Sequence, residues 1–398
     1  MRDTRETLIN EILHLLESRE GEMFSLLKEL VLIQSGSYHK AGVDAVAEKI
    51  REILEDGSIS VRIIEQKKHG NHLVVTTPPA SKGEKGLLIV GHMDTVFPEN
   101  TPFRWYREDE ENVYGPGVID MKGGLVAGIF ALKALEDVGV LEKIPIRFVF
   151  NSDEEIGSPT SRDLIRRMAD ESYCGFVLEC GAPDGGIVTG RKGKIGLTLT
   201  TRGSAGHAAQ AGRDKSSAVL CLSHKVIMLE AMNDPDQGVS VNVGTIKGGI
   251  GDNTVAEEAT AGVDIRYLQP PQRGEILSRV DTVVKTSKVP GGTGKMEITS
   301  ERPPMPVTER NRELFTILRK QAERIGISIK EELRSGVSDA NIIAERGIPV
   351  LDGLGPIGGR DHSDKEYMIK KSLLPRTQLF ALTLVAAWDY YSSDKKGD

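Results

Sequence analysis

The chain has 398 residues, of which 39% are hydrophobic and 27% are charged, and its formal net charge at pH 7 is −7. This composition is typical of a globular protein with two or three domains, and the negative charge argues against nucleic acid or an anionic membrane as the main partner. The most apolar stretch, LFALTLVAAW at residues 379–388, is too short to cross a bilayer. The N-terminus lacks the apolar core of a secretory signal, and the three cysteines have neither metal-site nor disulfide spacing. We therefore predict a cytoplasmic protein.

The first half of the chain alternates between helical and strand-like patterns. Helical periodicity covers residues 5–34 and returns near residues 42–55. Short apolar runs then predict strands, with one small-residue-rich helix among them: SVRIIE, HLVVTTP, KGLLIVG, the helix MKGGLVAGIFALKALEDVG, IPIRFVF and GFVLE. Strands that alternate with helices predict a mainly parallel sheet covered by helices on both faces.

Between about residues 192 and 301 the order becomes strand, helix, strand, strand, helix, strand, which is the ferredoxin-like split pattern. From about residue 305 helix and strand alternate again, with IPVLDGLG as a buried strand and a closing helix after Pro375. We predict an α/β fold with a mixed, mainly parallel sheet sandwiched by helices. Residues 1–191 and 302–398 form this domain, and residues 192–301 form an inserted ferredoxin-like α+β domain.

Histidines and carboxylates follow the predicted strands where the strands end, or precede a helix. They are His92, Asp94, Asp120, Glu154, Glu155, Glu179 and His362. Because open parallel sheets bind ligands outside the carboxyl ends of their strands, we expect these side chains to converge. Two histidines and three carboxylates are too many for one tetrahedral zinc ion. They fit two divalent cations that share a bridging carboxylate and a bridging hydroxide.

The adjacent glutamates Glu154 and Glu155 find a use in such a site. One would coordinate metal, and the other would accept the proton of the bridging water, whose pKa a cation lowers to roughly 7. The residues alone leave open which glutamate has which role. Asp94, two residues beyond His92, is placed to accept the second imidazole N–H.

Eight segments in order along nearly the whole chain resemble one known family. They are GHMDTVFP, YGPGVIDMKGG, NSDEEIGS, LECG, GSAGHAA, VDIRY, GVSDANIIAERGIPV and HSDKEY. The family is that of the dinuclear-zinc exopeptidases and deacylases, which includes bacterial glutamate carboxypeptidase, acetylornithine deacetylase and succinyl-diaminopimelate desuccinylase.

The resemblance implies two divalent cations, zinc with cobalt or manganese as alternatives. Asp120 would bridge them, His92 and Glu179 would complete one cation, and Glu155 and His362 would complete the other. Asp361, which directly precedes His362, departs from the family's pattern. It would either tune His362 as a ligand or face solvent.

The resemblance also distributes the remaining roles. Glu154 would be the general base, Asp94 would orient His92, and the peptide bond between Asp120 and Met121 would be cis. The inserted domain would be a lid that forms a homodimer.

In that lid His207 would help to stabilise the oxyanion, in one alternative from the partner chain. Asn253 and Arg266 would bind the terminal carboxylate of the substrate, for which the planar fork of an arginine is suited.

We therefore predict a dizinc hydrolase that cleaves a C-terminal peptide bond or an N-acyl amino acid, with a glutamate-carboxypeptidase-like activity first. The alternative is an N-acyl-amino-acid deacylase such as acetylornithine deacetylase or succinyl-diaminopimelate desuccinylase. A different class is a non-catalytic, metal-dependent binder of an acidic small molecule. A nicotinamide oxidoreductase would rest only on GLGPIG at residues 353–358, which Pro356 interrupts. Two further histidines, His69 and His72, are predicted to lie in a surface turn.

Overall fold

The computed structural model describes residues 2–55 and 57–394. Its helices are α1 (Arg2–Ser18), α2 (Glu20–Leu32), α3 (Lys40–Leu54), α4 (Pro78–Ser81), α5 (Gly123–Asp137), α6 (Arg162–Asp170), α7 (Ala218–Glu230), α8 (Gln272–Lys285), α9 (Glu309–Arg324), α10 (Ala340–Ala344) and α11 (Lys370–Asp394). Its strands are β1 (Ser60–Ile64), β2 (His72–Thr76), β3 (Gly86–His92), β4 (Arg107–Glu108), β5 (Asn112–Tyr114), β6 (Ile146–Asn151), β7 (Ser172–Val177), β8 (Gly186–Arg191), β9 (Gly193–Arg202), β10 (Gly206–His207), β11 (Ser240–Gly248), β12 (Thr254–Val255), β13 (Glu258–Tyr267), β14 (Thr293–Arg302), β15 (Lys330–Arg334), β16 (Val350–Leu351), β17 (Gly358–Gly359) and β18 (Tyr367–Ile369).

The chain forms two compact units. The first takes in the described residues up to Gly190, Val307–Leu333 and the described residues from Ser338 onward. The second takes in Arg191–Pro306 and the short segment Arg334–Val337. The roles of these units as a catalytic domain and a lid stay predictions.

The first unit is built on a six-stranded sheet in the order β1-β2-β6-β3-β7-β16. The pairings β6–β3, β3–β7 and β7–β16 are parallel, and those of β2 with β1 and β6 are antiparallel. Every residue of β3 and β6 is buried, as expected for strands covered on both faces. Helix α5 packs against α1, α2 and α11, and α6 packs against β3 and β7. The predicted mixed, mainly parallel α/β sheet is thereby confirmed.

The register of this sheet determines where the polar residues meet. The last residue of β3, His92, lies beside the last residue of β6, Asn151. In β7, Val177 pairs with Val90, and Glu179 follows two residues later. The carboxyl ends of three parallel strands therefore deliver the candidate ligands to one edge of the sheet.

The second unit contains a four-stranded antiparallel sheet in the order β11-β13-β9-β14, with α7 and α8 packed on it. Its chain order β9-α7-β11-β13-α8-β14 gives the predicted ferredoxin-like arrangement. Strand β13 alternates buried and partly exposed residues, so that Ala261, Val263 and Ile265 face the core.

Three element boundaries differ from the prediction. The long N-terminal helix is interrupted at Arg19, which has φ −105° and ψ 9°. The strand expected over residues 348–355 is regular only at Val350–Leu351, since Gly353 adopts a positive φ of 69°. The closing helix begins at Lys370 and includes Pro375 in its second turn, although proline usually marks a helix start.

None of the described helices is both long enough and apolar enough to span a membrane.

Candidate active site

One buried group of candidate ligands lies at the carboxyl ends of β3 and β7. The Nε2 atom of His92 is 3.1 Å from Oδ1 of Asp120 and 3.7 Å from Oε1 of Glu179. The ligand atoms of these three residues all lie within 4.8 Å of one another. His92 is almost completely buried, and the two carboxylates are about one-tenth exposed.

A second group shares Asp120. The Nε2 atom of His362 is 3.0 Å from Oδ2 of Asp120 and 3.3 Å from Oε2 of Glu155. One oxygen of Asp120 therefore faces His92 and the other faces His362. This is the arrangement that a carboxylate bridging two cations requires.

The electrostatics of the two groups favour cations. Burial and the neighbouring Asp120 raise the pKa of Glu155 to about 6 and that of Glu179 well above its usual value. Although burial opposes it, hydrogen bonds from His362 and His92 hold the pKa of Asp120 below its usual value. Burial thus disfavours the charged forms of Glu155 and Glu179, and cationic partners at this site would favour them, a role that metal ions can take.

Two further features of these side chains fit a metal site: a carboxylate oxygen without a hydrogen-bond donor and a histidine ring held in a fixed orientation. The Oε1 atom of Glu155 is buried and has no hydrogen-bond partner. The Nδ1 atom of His92 donates to the main-chain carbonyl of Asp94 at 2.9 Å, which leaves Nε2 to face the carboxylates. A histidine ligand whose second nitrogen is fixed in this way is the usual arrangement at metal sites.

Asp94 contributes in a way that the sequence did not predict. Its carboxylate oxygen Oδ1 lies 3.4 Å from Nδ1 of His92, so its main-chain carbonyl is the closer acceptor. Besides facing His92, the carboxylate accepts the hydroxyl of Ser37 at 2.6 Å and the main-chain N–H groups of Glu154 at 3.1 Å and Glu155 at 3.3 Å. Asp94 thereby connects His92, at the end of β3, to the turn after β6.

The turn that carries Asp120 is fixed by a residue that sequence reasoning missed. Glu366 is completely buried, and its carboxylate accepts main-chain N–H groups from Gly117 at 3.0 Å, Ile119 at 2.9 Å and Asp120 at 3.1 Å. Burial raises its pKa to about 8. The peptide bond between Asp120 and Met121 is cis, as the resemblance predicted. The available signal was a glutamate inside the quoted segment HSDKEY.

A buried polar network lies behind the Glu154–Glu155 turn. The prediction of a surface turn at His72 is wrong, because this imidazole is completely buried, with Nδ1 3.0 Å from Oγ of Ser152 and Nε2 3.0 Å from Oγ1 of Thr160. The carboxylate of Asp153 accepts the hydroxyl of Thr160 at 2.7 Å. The neutral hydroxyls give His72 partners that its sequence context of lysines and glycine did not indicate.

The glycine-rich loop 353–358 holds the main chain next to Glu179. The N–H of Gly355 donates to the carbonyl of Glu179 at 2.8 Å, and the N–H of Gly181 donates to the carbonyl of Pro356 at 2.8 Å. A Cβ atom at position 355 would lie 2.6 Å from the carbonyl oxygen of Leu178. Gly355 is therefore explained by this close main-chain contact, and its place in the GLGPIG motif does not require a bound nucleotide.

The three predicted substrate ligands lie in the second unit, where two of them are neighbours. His207 is exposed, pairs with Thr254 in the β10–β12 ribbon, and is followed by Ala208, whose N–H donates to the carbonyl of Asn253 at 2.9 Å. Arg266 lies eight residues beyond the start of β13, about 27 Å along an extended strand. The structure therefore brings His207 and Asn253 together and places Arg266 towards the other end of the sheet.

The guanidinium of Arg266 already has partners. Its Nε and Nη2 atoms donate to the two carboxylate oxygens of Asp264 at 2.7 Å and 3.2 Å, and Nη1 donates to the carbonyl of Ser335 at 3.2 Å. A substrate carboxylate would have to share this fork with Asp264.

Comparison with known proteins assigns the fold and the site to a class. The profile of peptidase family M20/M25/M40 matches residues 88–386. Carboxypeptidase G2 of a Pseudomonas strain is 29% identical over 374 residues, which are 90% of this chain and 87% of that protein. The LysW-lysine/LysW-ornithine hydrolase of Saccharolobus solfataricus is 26% identical over 365 residues, 91% of this chain and 96% of that protein. A crystal structure of a tripeptidase from Staphylococcus aureus superposes with a TM-score of 0.78 at 23% identity, covering 92% of this chain and 98% of that one.

The fold, the grouped ligands and these similarities define a metal-dependent hydrolase. Because the family profile matches about three-quarters of its length, the chain belongs to peptidase family M20/M25/M40. The resemblance drawn from the eight sequence segments is confirmed.

Proposed function

We propose that the protein is a dizinc amidohydrolase that removes the C-terminal residue of a peptide or cleaves an N-acyl amino acid. The observation that carries this proposal is the division of the Asp120 carboxylate between two histidines, 3.1 Å from Nε2 of His92 and 3.0 Å from Nε2 of His362. His92 and Glu179 would hold one cation with Asp120, and Glu155 and His362 would hold the other. Cobalt or manganese are alternatives to zinc.

Two divalent cations bound there would polarise the scissile carbonyl and lower the pKa of the attacking water. Glu154 would act as the general base that takes a proton from the attacking water and passes it to the leaving amine. Its position is supported by Asp94, whose carboxylate accepts the main-chain N–H of Glu154. The same carboxylate accepts the N–H of Glu155, so one side chain positions both the proposed base and a proposed ligand.

The substrate class rests on the basic and polar groups of the second unit and on sequence similarity. Arg266, with its ion pair to Asp264, and Asn253 would bind the terminal carboxylate, and His207 would stabilise the oxyanion. Similarity to carboxypeptidase G2 favours a carboxypeptidase activity, and the resemblance found in the sequence ranks a glutamate-carboxypeptidase-like activity first. The second candidate is deacylation of an N-acyl amino acid, which similarity to the LysW-lysine/LysW-ornithine hydrolase favours.

We further propose a homodimer formed through the second unit. Strand β11 is at an edge of its sheet, and an edge strand is a ready template for pairing with another chain. Large apolar side chains are exposed on this strand, on the turn that follows it and on α7: Ile246 is 57% exposed, Ile250 92% and Ile227 69%. Sedimentation of the wild-type chain beside an Ile227→Glu, Ile246→Glu variant tests this, since the variant should sediment as a monomer.

A cytoplasmic location is also proposed. It is supported by Cys174, Cys180 and Cys221, none of which forms a disulfide.

The proposed activity is tested by hydrolysis of a panel of dipeptides and N-acyl amino acids with the zinc-loaded protein, beside its chelated form and an Asp120→Asn variant. The proposal expects turnover of at least one acidic dipeptide or N-acyl amino acid by the zinc-loaded protein alone. Tight binding of these compounds with no turnover would instead indicate a metal-dependent binder.

A further inference from the structure

The second group of candidate ligands contains a carboxylate that the roles proposed above do not use. The ligand atoms of Asp120, Asp361 and His362 all lie within 4.8 Å of one another. Asp361 and His362 are adjacent in the loop between β17 and β18, and both side chains are exposed. The position next to His362 is therefore open to solvent, unlike the buried group around His92.

A second, independent observation comes from Glu155, whose carboxylate also faces His362. The side chain of Glu155 is only 6% exposed, and its Oε2 atom lies 3.3 Å from Nε2 of His362. Its Oε1 atom is buried and receives no hydrogen bond. A buried carboxylate oxygen without a donor is costly, and a cation satisfies it without a protein N–H or O–H group.

We propose that Asp361 is a further ligand of the cation that Asp120, Glu155 and His362 would hold. This inference rests on the dinuclear site of the proposed function. With Asp361 included, four carboxylates would surround the two cations, those of Asp120, Glu155, Glu179 and Asp361.

The added carboxylate makes the two positions chemically unequal. The buried position has two carboxylates and the imidazole of His92, whereas the open position gains a third carboxylate beside the imidazole of His362. Carboxylate oxygen suits Mn²⁺, while imidazole suits Zn²⁺. Removal of Asp361 should therefore weaken Mn²⁺ binding at the open position more than Zn²⁺ binding.

The competing explanation is that Asp361 acts only by its charge. The same loop offers a matched control, because Asp364 is also an exposed aspartate but belongs to neither group of candidate ligands among the described residues. The variants Asp361→Asn and Asp364→Asn remove the same charge, and exposure of both positions makes a folding defect improbable as a cause. Asp361→Ala removes the remaining amide oxygen as well.

The experiment uses the full chain, stripped with a chelator and titrated with Co²⁺ while visible absorption is followed, and then with Zn²⁺ and Mn²⁺ in competition with a chromogenic chelator. Wild type and Asp364→Asn should take up two cations per chain. Asp361→Asn and Asp361→Ala should keep the tighter cation and bind the second at least about tenfold more weakly, since even indirect partners of a metal change its affinity 10- to 100-fold. The absorption of the second cobalt equivalent should change in these two variants only.

Unchanged second-cation affinity in Asp361→Asn and Asp361→Ala would overturn the inference. An equal loss in Asp364→Asn would do so too, because charge alone would then explain it, and so would uptake of a single cation by wild type. Uptake of a single cation by wild type would also refute the dinuclear site, whereas failure of the proposed hydrolysis alone is distinguishable, since it would show as a wild type that binds two cations and hydrolyses nothing in the substrate panel.

Discussion

The Glu366 carboxylate accepts the main-chain N–H of Asp120 at 3.1 Å, although 246 residues separate the two in sequence. The same oxygen accepts the N–H of Ile119, and the other oxygen accepts that of Gly117. A single buried side chain therefore fixes the turn from which Asp120 reaches both histidines. The geometry of the proposed bridge depends on this contact as much as on the ligands themselves.

Replacement of Glu366 by Gln should weaken the binding of both cations by about 10- to 100-fold, the usual effect of losing a partner that orients a ligand. The amide can accept from one side only, so at least one main-chain N–H loses its acceptor, and unfolding should cost about 1–3 kcal/mol less. Metal affinity is measured by chelator competition and stability by urea unfolding.

The control for this variant is Thr77→Val, because the Thr77 hydroxyl donates to the carbonyl of Ile144 and accepts the N–H of Ile146, at the end of β6 away from the candidate ligands. It should lose similar stability and keep both cations. Equal metal affinity in Glu366→Gln and Thr77→Val would show that Glu366 has a structural role only.

Variants of the two adjacent glutamates should distinguish the general base from the metal ligand. Glu154→Gln should keep two cations and lose at least about 10²-fold in turnover, the scale of general acid–base catalysis. Glu155→Gln should lose one cation, since it removes a charged ligand. Metal content and turnover are measured on the same preparations. Near-wild-type turnover of Glu154→Gln, or loss of a cation from it, would contradict the assignment of the base.

Arg266 should contribute to binding of a substrate carboxylate in spite of its ion pair with Asp264. Arg266→Gln should raise KM about 10- to 100-fold for a substrate with a free terminal carboxylate, the range for a hydrogen bond to a charged group. The C-terminal amide of the same substrate should be unaffected. Asp264→Asn keeps the guanidinium and releases its fork, so KM should stay the same or fall. An equal rise in KM for the acid and the amide would show that Arg266 does not bind the substrate carboxylate.

The buried imidazole of His72 should make stability depend on pH. Burial lowers its pKa, while Asp153, Asp94 and Asp339 act in the opposite direction. The folded protein thus keeps His72 neutral where the unfolded chain, with a pKa near 6.5, binds a proton. This penalty is absent well above pH 6.5 and grows as the pH falls below it, by up to about 1.4 kcal/mol per pH unit.

Urea unfolding of the chelated protein between pH 8 and pH 5.5 measures this dependence. His72→Gln should be less stable than wild type at pH 8, and its free energy of unfolding should fall less steeply towards pH 5.5. His14→Gln, on an exposed face of α1, should retain the wild-type slope. An identical slope in His72→Gln would refute the assignment of the pH dependence to this residue.

The sequence predicts those parts of the site that follow from strand ends. His92 and Glu179 follow buried apolar runs, and the parallel pairing of β3 with β7 brings them within 3.7 Å. The ferredoxin-like order of the second unit was also predictable, because the alternation of apolar and polar residues along β13 and β9 is visible in the sequence.

What the sequence did not predict are contacts between polar groups remote in the chain. Glu366 looks like any acidic loop residue, and only the folded chain places three N–H groups around it. The carboxylate of Asp94 lies 3.4 Å from His92, near the position that the sequence suggested, but its bonds to the N–H groups of Glu154 and Glu155 were not expected. Hydrogen-bond partners of this kind are chosen by tertiary packing, which periodicity and spacing do not encode.

Zinc-edge anomalous scattering from crystals of the zinc-loaded protein tests the dinuclear site most directly. Two peaks are expected, each at coordination distance, about 2.0–2.2 Å, from its ligands. One should contact His92, Asp120 and Glu179, and the other Asp120, Glu155 and His362. A single peak, or a pair of peaks that do not share Asp120, would contradict the account.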